Sequence, residues 1–279
     1  MTALMYHDVV APGADDASGF PGRDAALYKV TPETFAAHLD AIARATGHVS
    51  ERPSVDYRFC GAVMRERRGP GDPRDPIITF DDGGASAITA ADLLEAHGFI
   101  GHFFITANYV GAPGFVTERQ LRELVQRGHV VGSHSCSHPL RMGHCTFPQL
   151  LVEWSRSCAI LADITGKEVS VASVPGGDFS MKVAEAAAQA GITQLFTSEP
   201  TCGAQEMSGV TLNGRFTIQR WTTARTAAAL ALGKWLPRAR QAVVWNAKKI
   251  GKRVGGARYL QIRRLLIGHG DEVRWGDQR

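Results

Sequence analysis

Between residues 76 and 197 short apolar runs alternate with amphipathic stretches. That rhythm predicts strands each followed by a helix, the arrangement of a largely parallel sheet. The runs 76–80, 102–106, 129–134, 169–174 and 194–197 read as strands. Between them, 86–97 reads as a helix stopped at Gly98, and Thr117-Glu-Arg-Gln120 has capping-box form, opening a helix to Arg127 with Gly128 as its stop. Thr146-Phe-Pro-Gln149 repeats the device for a helix to about residue 165, before Gly166, and 180–190 is a further helix. Ahead of this block, 3–7 reads as a strand and 32–46 as a helix. Two Gly- and Pro-rich stretches, 11–23 and 51–76, are too long for simple connections and read as surface loops that shape a binding cleft. After Trp221 the pattern turns Ala-rich, basic and helical, from Thr223 to about Ile267.

Composition narrows the class. A chain of 279 residues, 44% hydrophobic and 21% charged, has the make-up of a globular α/β protein with ample core. Its longest apolar stretches, such as Ala227 to Leu232, fall far short of the roughly 20 residues a membrane-spanning helix needs. The segment from Met1 to Val10 has no positive n-region, apolar h-region or small-residue cleavage site, so a cytoplasmic location is expected. Five cysteines at irregular spacing and without a CxxC pair suit reduced thiols.

Charge changes the picture more. The net charge is +4, yet residues 207–270 hold thirteen Lys and Arg and no acid, so the rest of the chain is net negative. An acidic body with a basic tail points to an anionic partner. The stretch 234–264 fits a basic amphipathic helix on anionic lipid, or equally a solvated helical pair packed on the body. None of the usual recognition motifs accompanies it, so no nucleic-acid partner is expected.

Two motifs carry candidate chemistry. Thr79-Phe80-Asp81-Asp82-Gly83-Gly84 sets adjacent carboxylates at the carboxyl end of a predicted strand, where parallel α/β folds bind ligands. Asp-Asp-Gly-Gly alone is also good turn chemistry. His134-Ser-Cys-Ser-His138-Pro139 follows another strand and falls on the same sheet edge. Two imidazoles plus a strand-end carboxylate form a donor set suited to Zn²⁺ or Fe²⁺, with positions left for water and substrate. Cys136, between the histidines, is expected to face away. Trp154, Trp221, Trp235 and Trp245 offer surfaces for sugar rings, but core or interface positions are the expectation at helical spacing.

These residues resemble the polysaccharide deacetylases that share the NodB homology domain, carbohydrate esterase family 4. Ile78-Thr-Phe-Asp-Asp-Gly83 is similar to the family's first motif and His134-Ser-Cys-Ser-His138 to its second, H-[ST]-x-x-H. Leu93-Leu-Glu-Ala-His-Gly98, His102-Phe-Phe-Ile105 and Arg127-Gly-His-Val-Val-Gly-Ser133 extend a likeness that runs from residue 1 to about residue 200. The resemblance implies a distorted (β/α) barrel of the NodB type over residues 1–222, with a basic helical C-terminal extension over 223–279. It implies Asp81 as general base, and Asp82, His134 and His138 as ligands of a divalent metal, Zn²⁺ first, with Fe²⁺, Co²⁺ and Ni²⁺ as other options. The third motif, usually R-x-P-[YF]-G, is matched by Ala172-Ser-Val-Pro-Gly-Gly177, which makes Pro175, Gly176 and Gly177 candidate substrate-binding residues. Its arginine is missing, with Ser173 nearest its place, so Arg215 or Arg220 is a candidate substitute. The family's last motif supplies a histidine as general acid. Leu266-Ile-Gly-His269 follows a basic helical stretch and is discounted, whereas Leu4-Met-Tyr-His7-Asp-Val9 resembles the circularly permuted subgroup that includes the poly-β-1,6-N-acetylglucosamine deacetylases. That assigns the acid role to His7, against the plainer reading of a strand-end core histidine.

The expected function is a cytoplasmic, metal-dependent hydrolase removing an N-acyl group, acetyl above all, from an amino sugar in a glycan, glycolipid or glycoside biosynthetic pathway. Its substrate would be a nucleotide- or lipid-linked sugar or a small glycoside, with peripheral membrane contact through the basic helix. The alternatives are a hydrolase of a non-sugar C–N amide bond on the same fold, and a catalytically silent carbohydrate-binding module, whose support is the missing arginine.

Overall fold

In the computed structural model, which describes residues 2–48 and 75–247, helix ends fall where capping chemistry puts them. Thr31 Oγ1 accepts from Thr34 N to open a helix, Pro32–Thr46, which closes on Gly47 at φ 71°. Thr117 and Thr146 each form the reciprocal capping box with the glutamine three residues on, starting Glu118–Gln126 and Phe147–Thr165. The second of these stops at Gly166, φ 70°, a left-handed position that suits glycine. With the short turn Arg23–Ala26 as α1, the helices are α2 (Pro32–Thr46), α3 (Ala87–Ala96), α4 (Glu118–Gln126), α5 (Phe147–Thr165), α6 (Met181–Gln189), α7 (Ala224–Ala231) and α8 (235–247).

The strands are β1 (Ala3–Tyr6), β2 (Asp8–Val9), β3 (Lys29–Val30), β4 (Ile77–Phe80), β5 (Gly101–Ile105), β6 (Val130–Ser133), β7 (Val171–Ser173), β8 (Gln194–Phe196), β9 (Ala204–Met207), β10 (Val210–Asn213) and β11 (Phe216–Thr217). Nine of them form one sheet in the order β11-β1-β4-β5-β6-β7-β8-β10-β9, and β2 pairs with β3. Every pairing in the large sheet is parallel except β10 with β9. Its edge strands β11 and β9 do not pair with each other, so the sheet is an open, half-barrel form of the expected (β/α) barrel. Parallel strands place their carboxyl ends together, and the loops after β1, β4, β6 and β7 therefore meet on one rim.

The core lies between sheet and helices. On α2, Phe35, Leu39 and Ile42 are fully buried, each contributing about 1.5–3 kcal/mol by leaving water. Phe35 meets Tyr6 edge-on at 5.0 Å, and Tyr6, Phe80 and Phe103 stack in turn across β1, β4 and β5. Ala227 and Leu230 of α7 join the same core cluster, so the chain after residue 222 begins by packing into this body.

Several expectations change. Most strands are shorter than the apolar runs, β7 spanning 171–173 rather than 169–174. Strands β9 to β11 carry no alternation to read, since Ala204–Met207 is exposed on both faces except for half-buried Met207. The stretch 11–23 is not wholly a surface loop. It holds a 3-10 turn at Asp15–Ala17, buries Ser18, and leads through α1 to a buried lysine, Lys29. Most of 51–76 lies outside the described residues. The helical stretch expected from Thr223 is divided: α7 ends at Ala231, the chain breaks at Gly233 with φ 64°, and it resumes as α8; beyond 247 the stretch lies outside the described residues.

Candidate active site

Asp81 and Asp82 come directly off β4. Asp81 N continues the β1 ladder by donating to Tyr6 O at 3.1 Å, and the chain then turns through Asp82 at φ 75° and Gly83 at φ 83°. Four non-glycine residues among those described have positive φ, and three of them, Asp82, Ser135 and His138, lie in this site. Such backbone is costly and persists where the surroundings hold it. Here Thr106 N donates to Asp82 O, and His138 N donates to Ser135 Oγ at 3.0 Å.

The second motif leaves β6. His134 Nε2 lies 3.3 Å and His138 Nε2 3.5 Å from the same oxygen, Asp82 Oδ1, and the three donor atoms all fall within 4.8 Å of one another. The protons on His134 follow from its neighbours. Ser173 Oγ has one proton, which goes to Asp81 Oδ1 at 3.0 Å because an ionised carboxylate only accepts. The hydroxyl lone pair and the Ser173 carbonyl therefore face a protonated His134 Nδ1, at 2.5 and 3.1 Å. This tautomer leaves Nε2 free to coordinate, the usual arrangement behind a metal-binding imidazole. Burial lowers the pKa of His138 against the pull of Asp82, favouring the neutral ring that ligation requires. Burial raises the Asp82 carboxyl, but the imidazoles of His134, His7 and His138, whenever they carry a proton, outweigh it, and the carboxyl ends far below the usual range. Two imidazoles and one carboxylate facing a common point fit a divalent transition ion.

Asp81 is not part of that donor group. Both its oxygens are taken by the Arg215 fork, Nη1 to Oδ1 at 2.6 Å and Nη2 to Oδ2 at 2.7 Å. Arg215 is 0% exposed and is itself held by Thr197 O and Thr79 Oγ1. Burial raises the Asp81 carboxyl, while Arg215 and then His134 lower it more, so it stays below its ordinary value. Of the two arginines considered as substitutes, Arg215 thus sits on the carboxylate, whereas exposed Arg220 reaches Asp15 at 3.4 Å.

His7 leaves the end of β1. Its charge reaches both Asp81 and Asp82, its ring lies 4.9 Å from Tyr28, and its buried Nδ1 has no hydrogen-bond partner among the described residues. Pro175, Gly176 and Gly177 form a 3-10 turn after β7, with Pro175 buried. Gly177 is covered: a Cβ there would meet Ser198 and the Trp245 ring at 2.9 Å. Cys136 turns its thiol to Asn108 Oδ1 and stays outside the donor group. Trp154 is fully buried in the core, donating to Val183 O, and Trp221 and Trp235 are exposed. His269 lies outside the described residues.

Sequence reasoning missed the groups that hold the second loop. Glu153 of α5 accepts from Cys136 N, Ser137 N and Ser137 Oγ at 2.9, 2.8 and 2.6 Å, fixing the loop between the histidines. It also missed Phe20, whose ring lies 4.9 Å from that of His138 and packs edge-on against Tyr109 and Phe115. The Phe20 contact joins segments far apart in sequence, the Glu153 contacts reach from α5 back to the preceding loop, and neither has a local signature.

A family model for polysaccharide deacetylase matches residues 68–195, which include both carboxylates, both histidines and the 175–177 turn. Residues 68–195 are a polysaccharide deacetylase domain. YxkH of Bacillus subtilis (strain 168), named for the polysaccharide deacetylases, is 24% identical over 84% of this chain and 75% of its own length. The deacetylase fold extends past the matched segment: IcaB from Ammonifex degensii superposes with a TM-score of 0.59 at 18% identity, over 82% of this chain and 96% of its own. Streptococcus pyogenes deacetylase PplD, solved in complex with acetate, gives 0.59 at 14% identity over 83% and 97%. The deacetylase match supports a carbohydrate-directed hydrolase. His7 and Arg215 lie outside the matched segment and join the deacetylase site only through the fold.

Proposed function

We propose that this chain is a divalent-metal-dependent hydrolase that removes an N-acyl group, acetyl first and formyl second, from an amino sugar. The observation that carries this reading is the convergence of Asp82, His134 and His138 beside a carboxylate already clamped by a buried guanidinium. An ion held by those three residues, zinc by preference with iron, cobalt or nickel as other candidates, would supply Lewis-acid polarisation of the acyl carbonyl and a more acidic water. Asp81, kept ionised through the neutral range by Arg215, takes the proton of the attacking water. Because both of its oxygens are engaged by the fork, Asp81 is held as a base and away from ligation. His7 protonates the departing amine, a poor leaving group until it gains a proton. The buried fork also answers the missing third-motif arginine, which was the support for a silent binding module.

The basic C-terminal stretch favours a substrate carrying phosphate, a lipid- or nucleotide-linked amino sugar in a cytoplasmic glycan, glycolipid or glycoside pathway. The test is acetate or formate release from N-acetyl and N-formyl amino sugars, free, oligomeric, nucleotide-linked and lipid-linked, with metal content measured on the same samples. Asp81→Asn should keep its metal and lose about 10²–10⁴ in rate, while Asp82→Ala/His134→Ala should lose the metal. Full activity in the first variant, or stoichiometric metal in the second, would overturn the assignment. Cleavage of simple amides with no acyl release from any sugar would move the substrate outside carbohydrates.

A further inference from the structure

The last described helix, α8, has two faces with different surroundings. One stripe docks on the body. Gln241 brackets β11, accepting from Thr217 N at 3.1 Å and donating to Thr217 O at 2.8 Å, and the Arg238 guanidinium lies 5.8 Å from the Phe216 ring centre. One turn further, Trp245 reaches Gly177, so α8 climbs along the sheet edge to the rim where the site lies. The opposite stripe is open. Leu236, Val243 and Val244 are 63%, 69% and 54% exposed, and Trp235 ahead of them is 75% exposed. The spacing 236, 239, 240, 243 keeps Ala239 and exposed Arg240 on that same face, and Lys234 and Arg225 are exposed just before it.

Charge says what covers this face. No acid occurs from 207 to 270, and ten Lys and Arg lie between 234 and 264. A second copy meeting this face would set Lys234 and Arg240 against their own duplicates. The headgroup zone of an anionic bilayer accepts all of it, with apolar side chains and tryptophan at the acyl boundary and cations among the phosphates. We propose that the outward face of α8, Trp235, Leu236, Arg240, Val243 and Val244, docks on an anionic lipid surface and holds the site rim close to it. The proposal stands apart from the catalytic reading, because its test reads binding and not turnover.

The full chain is sedimented with vesicles of phosphatidylcholine alone and of phosphatidylcholine mixed with phosphatidylglycerol. Wild-type protein is expected on the mixed vesicles and to be released by salt. Leu236→Asp/Val243→Asp and Lys234→Glu/Arg240→Glu should each weaken binding about tenfold or more, with melting temperatures near wild type because these side chains are mostly exposed. Brominated acyl chains should quench fluorescence in wild type, and less in Trp235→Phe. Protein left in the supernatant, binding equal on both vesicle types, or binding untouched by both double variants would overturn the proposal. So would a dimer in solution that Leu236→Asp/Val243→Asp dissociates while vesicles fail to bind. Should one double variant unfold, Val243→Asn and Trp235→Ser provide the same reading.

Discussion

The Arg215 guanidinium donates to both oxygens of Asp81, so Arg215→Gln leaves a buried carboxylate with Ser173 as its remaining side-chain hydrogen-bond donor among the described residues. The pKa of Asp81 then rises, and because the base works ionised, the acid limb of kcat/KM should move to higher pH, with activity at neutral pH down by about 10². Arg215→Lys keeps the charge without the fork and should move the limb less. Urea titration of Arg215→Gln should also show about 3–5 kcal/mol of lost stability, the cost of an uncompensated buried charge. A second titration belongs to β5, where His102 is the register partner of Thr79. Burial pushes His102 on β5 down to about 4 from an ordinary 6.5, and its Nδ1 has no partner among the described residues. The unfolded chain therefore binds a proton between pH 6.5 and 4 that the folded one refuses. Stability is full above 6.5 and falls through that window, by about 3 kcal/mol at most. His102→Gln should flatten that part of the profile, and chemical denaturation at stepped pH would measure it.

At the scale of elements, α5 supports the metal loop through Glu153. Glu153→Ala frees the amides of Cys136 and Ser137 and lets His138 leave its left-handed backbone. Metal affinity should fall about 10- to 100-fold, read by titration with a chromophoric chelator, while circular dichroism stays that of the wild type. The helices that caps and glycines bound were legible in sequence: α2 spans 32–46 as the periodicity predicts, and α5 stops at Gly166. The placement of the two motif loops on one rim was legible too, because a parallel sheet brings its carboxyl ends together. What escaped depends on partners rather than pattern. Strands of two residues such as β3 and β11 exist because a neighbour supplies the ladder. The 11–23 stretch reads as polar loop, yet Lys29 Nζ gathers the carbonyls of Asp15, Ser18 and Phe20, and Asp8 binds Ser18 and Ser86, so a buried lysine fastens it over α3. The Arg215 contact spans 134 residues, and sequence could name a candidate for it without choosing one.

For the whole molecule, the proposed metal site would couple ion binding to folding. An ion that binds Asp82, His134 and His138 only in the folded chain stabilises it by about 4 kcal/mol at a thousandfold excess over Kd. Chelation should lower the melting temperature, and adding zinc back should restore it, while Asp82→Ala/His134→Ala should melt at one temperature with or without chelator. Differential scanning calorimetry of the four samples checks this. Arg215 enters the site from the far side of the β9–β10 hairpin, beyond the segment that holds the carboxylate it grips. Severing the backbone near Gly203, in an exposed connection between β8 and β9, would put base and guanidinium on separate polypeptides. Neither fragment would carry the proposed base in competent form alone, and turnover would return only as the two halves re-annealed, which makes this fold a natural frame for a split reporter.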